Sequence, residues 1–169
     1  MRWNSIKWLA VVSILALFLS ACSSDVEKEK SDVLKAAEQA FMATPEETNS
    51  ESGELAFYLP SSYQIQEEAD YNITIENKGD LILLFSNPNE GATSTLVSEQ
   101  IEQNKDDYIE YVKFEKEDKV GFVAIKEISE DQYELTVGVG GVKITTQTAT
   151  KRLADYAEQF MKMANSVQQ

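Results

Sequence analysis

Few residues in this chain are able to do chemistry, and their types narrow the choices at once. There is one cysteine, Cys22, and no histidine. A Ser-His-Asp or Cys-His nucleophile system therefore has no base, a His- or Cys-ligated zinc site has no ligand set, and a disulfide has no second half. Acid–base chemistry falls to carboxylates alone. Glu67 with Asp70, and Asp106 with Asp107, are the close pairs on which a glycosidase-like mechanism would draw. With 29 acidic residues, such neighbours arise from composition, and no catalytic residue is assigned. "NPNEG" (87–91) and "KEDK" (116–119) offer oxygen ligands but lack the alternating acids and central glycine of a calcium loop, so no metal or cofactor site is assigned. "VGVGGVK" (137–143) lacks the glycine spacing of a phosphate loop, and Lys143 is followed by Ile144. Its glycines are expected to serve a hairpin turn and close helix packing over Gly138.

Cys22 remains, as a buried thiol, a catalyst, a ligand or an attachment point. It ends the stretch "LALFLSACSSD" (15–25), where an apolar run turns into serine and acid. Arg2 and Lys7, with the amino terminus, form a positive segment, and Trp8 to Phe18 is an apolar core too short to span a membrane. Leu19-Ser20-Ala21-Cys22 resembles the lipobox of bacterial lipoprotein signals. That resemblance implies attachment of a diacylglyceryl group, with palmitate-type chains, to the Cys22 thiol and cleavage after Ala21, so that Cys22 becomes the lipidated first residue. The physical logic agrees: small residues at 20 and 21 let an extended chain enter a peptidase cleft, and a thiolate is a good nucleophile for taking up lipid. The plainer readings are an ordinary cysteine beside a cleaved secretory signal, or a short uncleaved anchor helix. Each buried methylene contributes about 0.8 kcal/mol, and one chain holds only marginally, whereas the two or three implied here hold firmly. The expected location is the cell membrane, lipid-anchored, facing outside the cytoplasm.

Cleavage before Cys22 removes 21 of 169 residues and leaves 148, enough for one domain and a tether. The whole chain carries −14; the removed part holds Arg2, Lys7 and no acid, so the remainder carries −16. Such a surface repels nucleic acid and anionic head groups, and no nucleic-acid partner is expected. The one remaining arginine is Arg152, and anionic ligands are disfavoured too. Trp3 and Trp8 leave with the signal, which weakens a sugar-stacking reading.

The elements expected to position these residues follow from periodicity. Residues 23–31, "SSDVEKEKS", have almost nothing to bury and are expected to be a tether. Val33, Ala37, Ala40 and Phe41 predict a short helix over 32–43 that Thr44-Pro45 ends, and "EETNSESG" (46–53) is expected to be a polar linker. The folded domain is expected from residue 54, opening with Leu55, Phe57 and Leu59 in a strand. "YNITIE" (71–76) and "DLILLFS" (80–86) flank the hairpin signal "NKG" (77–79). Leu81 to Phe85 is apolar on both faces, which predicts cover on both sides. Leu96, Val97 and Ile101 predict a helix over 94–107. Alternation then predicts three strands through residue 139, with turns at 116–118 and 130–131. A Gly140-Gly141 turn would set Val139 opposite Val142 and Val137 opposite Ile144. From Ala149, Leu153, Tyr156, Ala157, Phe160, Ala164 and Val167 form a helical stripe that must lie on the sheet. The fold class is α+β: an antiparallel sheet of about six strands covered by helices, including a long C-terminal helix. The expected organisation is a signal peptide at 1–21, a lipidated N-terminus with tether and short helix at 22–53, and one globular domain at 54–169.

Phe57-Tyr58-Leu59-Pro60-Ser61-Ser62-Tyr63 near the start, Ala164-Asn165-Ser166-Val167 near the end, and the element order between them resemble the PsbP/Mog1/DcrB-like fold over about residues 54–167. The resemblance implies an antiparallel sheet sandwiched between helices. Members of that fold have unrelated tasks, among them photosystem support, GTPase binding and small periplasmic lipoproteins, so no functional residue is carried over. The expected function is a membrane-anchored extracytoplasmic lipoprotein, a non-enzymatic binding module for a protein or small ligand of the cell envelope. The alternatives are an enzyme that relies on carboxylates only and a structural component of an envelope complex.

Overall fold

A computed structural model of the chain describes residues 27–168; Cys22 and the signal segment lie outside the described residues. The chain forms helix α1 (27–42), a short hairpin of β1 (Ser50–Ser52) and β2 (Leu55–Phe57), and strands β3 (Gln64–Ala69), β4 (Asn72–Asn77) and β5 (Asp80–Ser86). Helix α2 (Leu96–Glu102) and a 3-10 turn (Lys105–Asp107) lead to β6 (Glu110–Lys116), β7 (Lys119–Ser129), β8 (Gln132–Val139) and β9 (Val142–Ala149). A second 3-10 turn (Thr150–Arg152) opens onto α3 (Leu153–Ser166). Seven strands make one antiparallel sheet in the order β3-β4-β5-β9-β8-β7-β6. The class is α+β, as expected.

The turns explain the registers. Lys78 and Gly79 both take positive φ, 52° and 86°, which is the I′ geometry that joins two twisted strands with Asn77 opposite Asp80. Gly140, at φ 55°, sets Val139 opposite Val142 and Val137 opposite Ile144, the pairing expected from the alternation. Within the seven-stranded sheet, one strand was not expected. "QIQEEA" forms β3 at the sheet edge although only Ile65 is even half-buried among its large apolar residues, and a bulge between Ile65 and Glu67 with exposed acids beyond it blunts that edge.

On the core face, Ile73, Ile75, Ile82, Leu84, Val123, Ile125, Leu135, Val137 and Ile144 meet two helices. α3 presents its predicted stripe, with Leu153, Tyr156, Ala157, Phe160 and Ala164 buried, and it starts at Leu153 rather than at 149. α1 supplies Val33, Ala37 and Phe41 to the same core, where the Phe41 ring lies 5.7 Å from Phe114. The two helices run side by side in the same direction: the Ala154 N–H donates to Glu29 Oε1 (3.3 Å), and Asn165 Nδ2 donates to the carbonyls of Ala40 and Phe41 (3.3 and 3.4 Å).

The polar stretch expected to be a tether is therefore partly helix. Residues 27–31 are helical within α1, and their charges have partners: Lys30 bonds Glu27 (2.8 Å) and lies 3.9 Å from Glu110. Likewise the expected linker 46–53 contains β1, and the Asn49 side chain bonds both the N–H and the carbonyl of Leu59. The hairpin is tied to the chain end by reciprocal bonds between Ala56 and Gln168.

The outer face departs from expectation. Val97 and Ile101 of α2 cover Phe122 and Ala124, so half of this face is closed. Over β5 it is open: Leu81 is 64% exposed and Leu83 44%, while Ile82 and Leu84 between them are fully buried. The cover predicted on both sides of this strand is present on one.

Candidate functional site

The acids singled out by spacing do not converge. Glu67 and Asp70 lie exposed on β3 and its turn, and Asp106 and Asp107 lie exposed in the 3-10 turn, where Asp107 pairs with Lys126 at 3.5 Å. Among the described residues no Asp or Glu is buried, and no group of three metal-ligating side chains comes together. The Gly138 expectation is corrected in detail: the group closing over it is the Phe122 ring from the neighbouring strand, not a helix, and an added Cβ would stand 2.5 Å from that ring.

Three other arrangements were not visible in the sequence. The first is a polar cluster at the end of the sheet. Arg152 Nη2 lies 2.9 Å from Asp80 Oδ1, and the Thr148 hydroxyl donates to Asp80 Oδ2 at 2.7 Å. Beside them the Tyr156 hydroxyl donates to the Asn77 carbonyl (3.1 Å), and the Tyr63 ring meets Tyr156 edge-on at 6.3 Å. Burial, then the nearby Asp80 carboxylate, pushes the Tyr156 phenol up to about 12. Burial and the neighbouring Tyr156 raise the Tyr63 phenol further; the Asn77 side chain eases that rise, yet Tyr63 Oη has no hydrogen-bond partner. The cluster locks the β4–β5 turn to the start of α3.

The second is a cleft of about 660 Å³ between the loop at Glu90–Ala92, the β6–β7 turn and the end of α3. Val139, Val142, Ala164 and Val167 supply apolar wall, and Lys119 lines the cleft while only 7% exposed. Its ammonium donates to Asn165 Oδ1 and stands 5.0 Å from the centre of the Phe41 ring. Burial lowers its pKa from the ordinary lysine value, and the nearby Lys116 adds to the fall. Close backbone approach builds the wall: a Cβ on Gly141 would meet the Glu90 backbone at 2.6 Å.

The third is the open apolar strip on β5. Leu83 lies between its cross-strand partners Thr74 and Thr145, and half-buried Phe85 between Asn72 and Lys143. The strip lies on an interior strand of the sheet, with Glu76 across from Leu81 at one end and Lys143 across from Phe85 at the other. The continuous apolar run in the sequence was its only signal, and that run does not say which face stays open. Compared with protein-family models, with curated proteins and with solved structures, the chain matches none.

Proposed function

We propose that this chain is an extracytoplasmic lipoprotein held at the cell membrane through acylated Cys22, and that its domain is a non-enzymatic binding module whose strip at Leu81, Leu83 and Phe85 receives a protein partner of the envelope. The strip carries the reading. Three apolar side chains stand on one face of an interior strand, and two of them are exposed next to a fully closed core, so their apolar character does not serve folding. The surface is a sheet face rather than a cavity, which suits a partner with its own apolar ridge, a polar rim to meet Thr74, Asn72 and Thr145, and opposite charges towards Glu76 and Lys143. A binding role is favoured over carboxylate catalysis because the acids paired by spacing stand exposed and apart, and the sheltered Asp80 is held by Arg152 and Thr148.

Two experiments test this. Palmitate labelling of cells expressing the chain is expected to mark the protein and to be lost in Cys22→Ser; a labelled mutant overturns the anchor. A photo-crosslinking residue at position 83 of the full chain in intact membranes is expected to give one discrete adduct. The adduct should be abolished by Leu81→Asn and absent when the crosslinker sits at Glu38, exposed on α1 over the opposite face of the sheet. Equal adducts at the two positions overturn the docking strip.

A further inference from the structure

The cleft beside Lys119 has a feature that the docking strip does not use. A lysine at 7% exposure ordinarily has a carboxylate partner, because a desolvated charge without one is costly. Lys30, Lys113, Lys126, Lys162 and Arg152 all have one within 4.0 Å. Lys119, more buried than any of them, has none among the described residues; Asn165 Oδ1 takes one donor, and the Phe41 ring offers its face. An ammonium has three donors. Lys119 lines, together with Val139, Val142, Ala164 and Val167, a cleft whose volume of about 660 Å³ falls in the range of small-molecule sites.

We propose that this cleft binds a ligand with an aliphatic body and a single terminal carboxylate, the carboxylate on the Lys119 ammonium and the body on Val139, Val142, Ala164 and Val167. One buried cation matches one negative charge. Glu90, Glu117 and Asp118 at the cleft and the overall charge of the chain oppose a phosphate dianion; the sequence disfavours anionic ligands, and a monoanion that brings apolar surface with it is the anion least opposed. Lys116, on the cleft rim, bonds the Met42 carbonyl at the end of α1 and adds positive potential without being buried. The same chemistry occurs in a free medium-chain fatty acid and in the carboxy-terminus of an apolar peptide.

The test uses the chain from residue 22 with Cys22→Ser, which keeps every element of the fold. Amide resonances are followed by 15N–1H NMR while sodium octanoate, octanol, or a tripeptide Ala-Val-Leu with a free or amidated carboxy-terminus is added. Saturable shifts at Lys119, Val139, Ala164 and Asn165 are expected with octanoate or the free-acid peptide, and none there with octanol or the amide. Tighter binding of one acid than of the other by tenfold or more identifies the source. Lys119→Met is expected to weaken binding at least tenfold, and Lys116→Met less than twofold. Should Lys119→Met not fold, the acid-against-alcohol comparison on the unchanged lysine decides alone. Octanol binding as well as octanoate, or no saturable shift with either acid, overturns the proposal. None of these outcomes bears on the β5 strip.

Discussion

Arg152 and Asp80, 72 positions apart, meet at 2.9 Å where the β4–β5 turn touches the start of α3, and the Thr148 hydroxyl holds the other carboxylate oxygen. The Asp80 side chain is 12% exposed and that of Arg152 30%, so the pair is partly desolvated. Asp80→Ala strands the guanidinium and leaves the Thr148 hydroxyl unmatched. The expected loss is about 2 kcal/mol, below the 3–5 of a fully buried pair because water still reaches the arginine. Asp80→Asn keeps an acceptor for Thr148 and should lose less. Urea unfolding with an unchanged m-value measures both, and a loss under about 0.5 kcal/mol for the alanine variant sinks this account.

The same corner sets the alkaline limit. Tyr156 in the folded chain titrates near about 12 against an ordinary phenol value of 10.0. Its folded pKa is raised, so the stability it contributes is full below pH 10 and is lost as pH climbs towards 12. Tyr63, raised by burial as well, adds to the loss in the same direction. Melting temperature should therefore fall above pH 10, with tyrosinate absorbance at the buried positions appearing together with the loss of secondary structure rather than before it. Smooth ionisation of all seven tyrosines with the fold intact would contradict the burial of both rings.

The parts legible in the sequence are those where one period dominates. The α3 stripe and the Val137–Ile144 register needed only a 3.6-residue spacing, a 2-residue spacing and a glycine pair. What escaped depends on distant chain. β3 has almost no apolar signal because an edge strand on an open rim has little to bury. The run Asp80–Ser86 is equally apolar at Leu83 and Leu84, and only the placement of α2 over Phe122 and Ala124, away from β5, decides which is covered. Nothing in "KEDK" distinguishes Lys116 from Lys119; the second is buried because Phe41 and Asn165 close over it.

That contrast on β5 is measurable. Leu84→Ala opens a cavity in a closed core and should cost about 2–5 kcal/mol, whereas Leu83→Ala, at 44% exposure, should cost under about 1. Equal losses would mean that the outer face is covered after all.

Gly138 tests the packing between strands. An added methyl would stand 2.5 Å from Phe122 Cε1 and closer still to the Val142 carbonyl oxygen, and backbone cannot move aside as a side chain end can. Gly138→Ala should therefore destabilise by about 1–3 kcal/mol, and Phe122→Leu added to it should recover only part, because the clash with the carbonyl persists. Full recovery in the double variant would locate the whole strain in the ring.

Residues 27–31 of α1 separate a tether from a structural element. Glu29 brings a carboxylate to the N-terminus of α3, where the cap residue Arg152 supplies no side-chain bond, so one helix caps its parallel neighbour. Lys30 meanwhile stands 3.9 Å from Glu110 on the edge strand β6. If residues 27–31 only linked the anchor to the domain, a chain begun at residue 32 would be as stable as the longer one. The contacts predict otherwise: the shortened chain should lose about 1–2 kcal/mol, and Glu29→Gln, which keeps an acceptor oxygen but loses the charge at the helix end, only a few tenths to about 1 kcal/mol. Denaturant midpoints for the three chains, compared at low and at 0.5 M salt, distinguish the two parts. The Glu29→Gln deficit should shrink as salt screens the helix dipole, while the truncation deficit persists, because it includes lost helical backbone bonds that salt does not weaken.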